Sequence, residues 1–136
     1  MQVSYEARSG AVLYVKDVER VAAYYAAVLG LQPGDRDDDH VVLESPQSQL
    51  VVLRIPKAIA ASIEIAVPPV RRTRTPVKLV FFVPSLAAAR VSAGAFGGVV
   101  DPVETEWMFQ GFKVCDGHDP EGNVIQLRED TRPNRP

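Results

Sequence analysis

Lys78, Gln126 and the aromatic residues Trp107, Phe109 and Phe112 are the side chains in this sequence with most to offer a ligand. Lys78 heads the apolar run Leu79-Val80-Phe81-Phe82-Val83. An ammonium there brings positive charge and three hydrogen-bond donors to an anionic or carbonyl-bearing ligand. In a dry cleft its pKa would fall, and the neutral amine would be available as a base or nucleophile. The plain alternative is a lysine that snorkels to water at a sheet edge. Gln126 can accept from the Lys78 ammonium and donate onward to the ligand. Trp107 and Phe109 share a strand face, an aromatic wall suited to a planar or cationic ligand, unless they fill the core or a subunit interface.

Other chemistries are poorly supplied. His40 and Glu44 would share a strand face, but at roughly 3.3 Å per residue they stand about 13 Å apart, too far to share a metal. His118 precedes a turn and is expected in solvent, as are Glu104 and Glu106. Cys115 is the chain's one cysteine. It lies in an apolar strand with no activating partner that sequence can place, so it reads as a small core residue rather than a nucleophile. Arg71, Arg72 and Arg74 read as solvated linker charge, the other possibility being an anion-binding patch.

Composition bounds the class. The 136 residues suffice for one domain with a real core, and 46% hydrophobic with 24% charged residues is ordinary for a globular chain. A net charge of −2 gives no electrostatic case for nucleic acid or an anionic membrane. No apolar run is long enough to span a bilayer, and Met1-Gln2-Val3-Ser4-Tyr5-Glu6 lacks the features of a signal peptide. With a single cysteine there is no intrachain disulfide, so a cytoplasmic location is the default expectation.

The elements that must position these residues come in two similar sets. Val15 and Val83, 68 residues apart, each end an apolar strand and precede a capping residue, Asp17 or Ser85, and a run of good helix formers. Helices are predicted over residues 17–29 and 85–93, the first stopped by Gly30. After the first, strands are predicted over 40–45 and 49–55, with 35–40 an acidic, exposed stretch. After the second come a short strand at 99–102, one long strand at 106–116 and a last strand at 124–129. Both halves read βαβββ. Residues 57–66 have helical spacing, 68–76 form a proline-rich extended linker, and the 131–136 tail is expected to be disordered. Tyr24 and Tyr25 are expected to divide between core and surface.

Asp119-Pro120-Glu121-Gly122-Asn123 is turn chemistry, and Val124-Ile125-Gln126-Leu127-Arg128 alternates like a half-buried strand. Together with the repeated halves, this segment resembles the closing hairpin of the vicinal-oxygen-chelate superfamily, which includes glyoxalase I, extradiol dioxygenases, fosfomycin-resistance enzymes and bleomycin-resistance proteins. The resemblance spans about residues 10–129. It implies an α+β fold, two βαβββ modules in tandem (about 9–56 and 77–130, joined by a linker of about 57–76) forming a curved mixed sheet around a cleft within one domain. It also implies a divalent metal in the catalytic members, with ligands from the first and last strand of each module. Counted onto this chain, those four positions are Gly10, Val52, Lys78 and Gln126. At most one, a neutral amide, is a donor, so no cofactor is expected.

In that family one sheet face packs on the helices and the other lines the cleft. The most uniformly apolar parity (Leu13, Val15, Val51, Leu53, Ile55, Leu79, Phe81, Val83, Ile125, Leu127) is assigned to the helices. The cleft then receives Gly10, Val12, Tyr14, His40, Val42, Glu44, Leu50, Val52, Arg54, Lys78, Val80, Phe82, Gln126 and Arg128. Candidate ligand-binding residues are Lys78, Gln126, Tyr14, Glu44, Arg54, Phe82, Trp107 and Arg128. The leading expectation is a metal-independent protein that binds a small organic molecule in this cleft, as a homodimer. The alternatives are a metal-dependent lyase, isomerase or dioxygenase with non-standard ligands, or a dimerising scaffold without a ligand.

Overall fold

A computed structural model describes residues 8–132. The first module contains β1 (Ser9–Val15), α1 (Val18–Leu29), β2 (Gln32–Arg36), β3 (His40–Ser45) and β4 (Ser48–Arg54). A single helical turn, α2 (Lys57–Ala60), opens the linker. The second module contains β5 (Leu79–Phe82), α3 (Leu86–Ala95), β6 (Val99–Val100), β7 (Trp107–Phe109), β8 (Phe112–His118) and β9 (Val124–Asp130). The α+β class and the tandem plan are as expected, with the strands in two mixed sheets ordered β1-β4-β3-β2 and β5-β9-β8-β6, β7 also pairing β8. The first and last strand of each module run parallel, Val12 facing Val51 and Val80 facing Gln126. No helix among the described residues is long and apolar enough to cross a membrane.

Local chemistry accounts for the boundaries. Asp17 caps α1 by accepting from the Arg20 amide, and Gly30 ends it in the left-handed conformation at φ 68°. Ser85 caps α3 through the Ala88 amide, and Glu129 accepts a second first-turn amide, that of Leu86, at 2.7 Å. Three expectations need correction. The predicted strand 106–116 is a hairpin, because Gln110 and Gly111 both take positive φ, as tight two-residue turns require. β2 runs through part of the stretch read as an acidic loop, with an irregular register against β3. Pro33, Gly34 and charged side chains are tolerable there because the strand is a fully exposed edge. Helical spacing over 57–66 yields only the turn α2.

Helices α1 and α3 pack against each other on one side of the two sheets, and one core joins Val15, Val21, Leu43, Leu50 and Val52 to Leu86, Ile125 and Leu127. Tyr24 and Tyr25 are both wholly buried, not half at the surface, with rings 5.0 Å apart edge to face.

The 119–123 turn is buried too, which its polar composition does not suggest. Asp119 is 0% exposed. It accepts from the Tyr25 hydroxyl at 2.8 Å, from the Asn123 amide side chain at 2.8 Å and from the Glu121 and Asn123 backbone amides. Burial raises its pKa, and the four hydrogen bonds to its carboxylate act against that shift. Glu121 reaches into the first module, where its carboxylate accepts from the backbone amides of Lys16 (2.9 and 3.0 Å) and Asp17 (2.7 Å). Gly122, at φ 81°, is the one residue type that fits its place: an added Cβ would lie 2.0 Å from the Val70 carbonyl oxygen.

The linker is therefore strapped down. Arg72 donates its amide to the Gly122 carbonyl, and Arg71 pairs with Asp101 through two hydrogen bonds of 2.9 and 2.5 Å. Arg71 also donates to His118 Nδ1 at 2.9 Å. The expectations of a solvated Arg71 and a solvated His118 thus both fail, since each is the other's partner. Thr131 and Arg132 of the tail are hydrogen-bonded, Thr131 to Gly111 and Arg132 to Asp130. Residues 133–136 of that tail, and the N-terminal Met1–Glu6 reading, lie outside the described residues.

Two tests follow. Glu121→Ala strands two part-buried amides at the start of α1, and it should lower stability by about 3 kcal/mol in urea unfolding; a loss below about 1 kcal/mol would mean that the clamp is incidental. Burial, then the adjacent Arg71 guanidinium, hold His118 below the ordinary histidine pKa. Its contribution to stability is therefore complete above about pH 6.5 and is lost as pH falls through the lowered value. His40, raised by its hydrogen bond to Asp35, acts in the opposite sense. Wild type should consequently lose more stability between pH 7 and 5 than His118→Gln, which keeps an acceptor for Arg71 but does not titrate; parallel pH profiles would refute the assignment.

Candidate functional site

Alternation along β5 and β9 turns Leu79, Phe81, Ile125 and Leu127 toward the helices and leaves Val80, Phe82, Gln126 and Arg128 on the opposite face. β8 pairs Asp116 with Gln126 and Val114 with Arg128, so both join that face. β7 adds Trp107 opposite Val114 and Phe109 opposite Phe112. Five of the candidate residues, Lys78, Phe82, Trp107, Gln126 and Arg128, thus share one wall.

A polar chain crosses this wall. Lys78 Nζ lies 3.1 and 3.3 Å from the two Asp116 oxygens. The Gln126 amide nitrogen donates to Asp116 Oδ1 at 3.2 Å, and its oxygen accepts from Arg128 Nε at 2.9 Å. The amide can point only this way, because a guanidinium cannot accept and a carboxylate cannot donate. Aromatic rings flank the far end. The Arg128 guanidinium carbon lies 5.0 Å from the Phe109 ring centre and 5.9 Å from that of Phe82, while Phe82 meets Phe112 edge to face at 5.1 Å.

The expected direct contact of Gln126 with the Lys78 ammonium is replaced by one mediated through Asp116, the residue that sequence reasoning missed. The signal was present. Counting outward from the 119–123 turn in a regular hairpin pairs 116 with 126.

On the first module the parity of β4 is the reverse of the expectation. Pro46-Gln47 closes a hairpin in which Ser45 faces Ser48 and Leu43 faces Leu50. Leu50 and Val52 therefore fall on the core face with Leu43 and Val41, and Val51 and Leu53 fall on the other. The run Leu50-Val51-Val52-Leu53 is apolar at both parities, so hydrophobicity could not have decided. Arg54 consequently leaves the cleft set: its guanidinium binds the Asp38 carbonyl at 2.6 Å and Asp39 at 3.3 Å. Glu44 keeps the cleft parity but is paired with Arg8 at 2.8 Å. Tyr14 and Val12 stay on that face, both largely exposed.

The position equivalent to Gln126 in the first module is accordingly Val51, not Val52. The four positions that hold metal in the family pattern become Gly10, Val51, Lys78 and Gln126, and they do not fit a divalent cation. Two have no donor, one is a cation already paired with Asp116, and the Gln126 oxygen is taken by Arg128. Among the described residues no three His, Cys, Asp or Glu side chains are grouped to hold a metal.

Two cavities lie on the seam between β1 and β5, beside the polar chain rather than over it. One, of about 480 Å³, is lined by Gly10, Gln49, Val80 and Phe82 among others. The second, of about 460 Å³, lies between Ala11–Leu13 and the linker residues Arg72 and Arg74. Phe82 is common to the first cavity and the aromatic end of the polar wall.

Two open mixed sheets built as βαβββ units, helices on one side and a mixed polar and apolar face on the other, define a vicinal-oxygen-chelate fold. Residues 10–128 match the glyoxalase-like domain family, and the chain belongs to it. A glyoxalase/bleomycin resistance protein from Albidiferax ferrireducens is 20% identical, with a TM-score of 0.63, over 93% of this chain and 98% of that one. A fosfomycin resistance protein from Listeria monocytogenes is 14% identical, with a TM-score of 0.61, over 98% of this chain and 97% of that one. A bleomycin resistance determinant encoded on the transposon Tn5 is 15% identical, with a TM-score of 0.61, over 93% and 100%. At these identities the likeness is one of fold. Among curated proteins none matches the chain in sequence.

The polar wall should be separable from folding. The Lys78–Asp116 pair is partly exposed, so Lys78→Met should change stability by no more than about 1 kcal/mol in urea unfolding. A loss of about 3 kcal/mol would make the pair a structural element instead.

Proposed function

We propose that this chain is a metal-independent small-molecule-binding protein that holds an organic ligand against the second module's open sheet face. The observation supporting it is the polar chain Lys78–Asp116–Gln126–Arg128, in which the second module's two metal positions, Lys78 and Gln126, are hydrogen-bonded to Asp116 and Arg128. Such a wall offers fixed hydrogen-bonding groups beside exposed aromatic surface, the usual composition of an organic-ligand site. The first module contributes the contrasting side, with Val12, Tyr14, Val51 and Leu53 where the second has Val80, Phe82, Gln126 and Arg128. A ligand with one polar edge and an apolar body suits that asymmetry. Lys78 acts in this reading as a charge that fixes Asp116, rather than as a base or nucleophile.

A homodimer is part of the same proposal, since Val12, Tyr14, Phe82 and Met108 leave more apolar surface open than a lone domain of this size needs. The test is a thermal-shift screen of small organic molecules, resistance-type antibiotics included, run with chelator present. A saturable stabilisation is expected, reaching about 2.7 kcal/mol at 100 times Kd. Stabilisation that appears only when Zn²⁺, Ni²⁺ or Mn²⁺ is restored would replace this reading with a metal-dependent one.

A further inference from the structure

The charges of the second module's open face do not all cancel, and the imbalance has a location. Lys78 is matched by Asp116 at 3.1 Å, and Arg132, over the Phe112 ring, by Asp130 at 3.0 Å. Arg128 differs. Its hydrogen-bond partner is the neutral Gln126, and no carboxylate among the described residues pairs with it. It is half-buried between two rings, so its charge is incompletely hydrated, and among the described residues only its Nε is used, which leaves both Nη groups to donate. The two rings that hold it remain open to a further partner, Phe82 at 60% exposed and Phe109 at 45%, and Trp107 on the same face is 42% exposed.

Resting on the small-molecule reading above, we propose that the ligand is a planar aromatic acid, its carboxylate or an equivalent oxyanion gripped by Arg128 and its ring system laid against Phe82, Phe109 and Trp107. A guanidinium presents paired N–H donors that match an oxyanion in the ligand plane, and a charge-assisted pair of this kind is about twice as strong as a neutral hydrogen bond. Gln126 and Asp116 act as positioning residues. The amide fixes the Nε edge of Arg128, and its own orientation is fixed by Asp116, so the free Nη edge faces outward. Asp116 does not compete for the ligand's site, because Lys78 and Gln126 already occupy its oxygens. The cavity that shares Phe82, where Val80 and Leu79 adjoin it, gives the ring system somewhere to extend. A cationic aromatic ligand would meet Arg128 as a like charge and is disfavoured on this face.

The chain reports on its own site, since Trp107 is its one tryptophan. Three probes of matched shape, 2-naphthoate, 2-naphthalenemethanol and 2-naphthylmethylammonium, are titrated with chelator present. Dissociation constants are taken from calorimetry, with Trp107 emission as the local readout. The acid should bind at least about tenfold more tightly than the alcohol, a difference of about 1.4 kcal/mol, and the ammonium most weakly. Arg128→Met should erase the preference for the acid while leaving the affinity for the alcohol within about twofold, and Arg128→Lys should restore part of it. Gln126→Leu should weaken the acid alone, with an unchanged melting temperature confirming an intact fold. Equal affinity for acid and alcohol, tightest binding of the ammonium, or an equal loss of acid and alcohol in Arg128→Met would overturn the assignment and leave the small-molecule reading standing. Binding of none of the three would also overturn it, and only if the broad screen is blank as well does the small-molecule reading fall with it.

Discussion

Everything in this fold hangs on two carboxylates of one turn, Asp119 and Glu121, being buried where a solvated loop is the ordinary outcome. A buried carboxylate survives only with donors supplied to it. Those that meet Asp119 and Glu121 come from both halves of the chain: the Tyr25 hydroxyl and the Lys16 and Asp17 amides from the first module, Asn123 and the turn's own backbone from the second. The turn thereby fastens the α1 end of one module to the closing hairpin of the other. The linker crosses over it at Gly122, and the Arg71–Asp101–His118 cluster ties the linker down. With α1 and α3 packed on one side, the opposite faces of both sheets are left open. The seam between β1 and β5 becomes the place for cavities.

What stands on the open face follows from this arrangement. Parallel pairing of first and last strands puts Val12 beside Val51 in one module and Val80 beside Gln126 in the other. The pseudo-repeat therefore produces two walls of one geometry and opposite chemistry. In the second, a cation, a carboxylate, an amide and a guanidinium are hydrogen-bonded in sequence. The family's architecture is kept, with Lys78 and Gln126 hydrogen-bonded to Asp116 and Arg128.

Much of this was legible in the sequence. The 68-residue repeat and the Asp-Pro-Glu-Gly-Asn turn specify the tandem modules, and the helix ends follow from Asp17, Gly30 and Ser85. Lys78, Gln126, Phe82, Trp107 and Arg128 were found as a set because strand parity places them. Three kinds of information were not there to be read. Hydrophobicity cannot choose a parity for Leu50-Val51-Val52-Leu53, and so Arg54 was drawn into the cleft when hairpin register keeps it out. A bent or exposed strand carries no alternation, so β2 and the break at Gln110-Gly111 were missed. Polar residues buried or held by long-range partners, namely Asp119, His118 and the half-buried Arg71, look solvated until the partners are known. Asp116 was a different case, since the hairpin count would have paired it with Gln126.

Metal loading separates an organic-ligand site from a cation site at Lys78 and Gln126. Protein stripped with chelator is dialysed against Zn²⁺, Ni²⁺ and Mn²⁺ in turn, freed of loosely held ions by gel filtration, and its metal content measured per chain. An organic-ligand site should retain no stoichiometric metal with any of the three, and Gln126→Ala should behave the same. One ion retained per chain in the wild type, and lost in Gln126→Ala, would contradict that assignment.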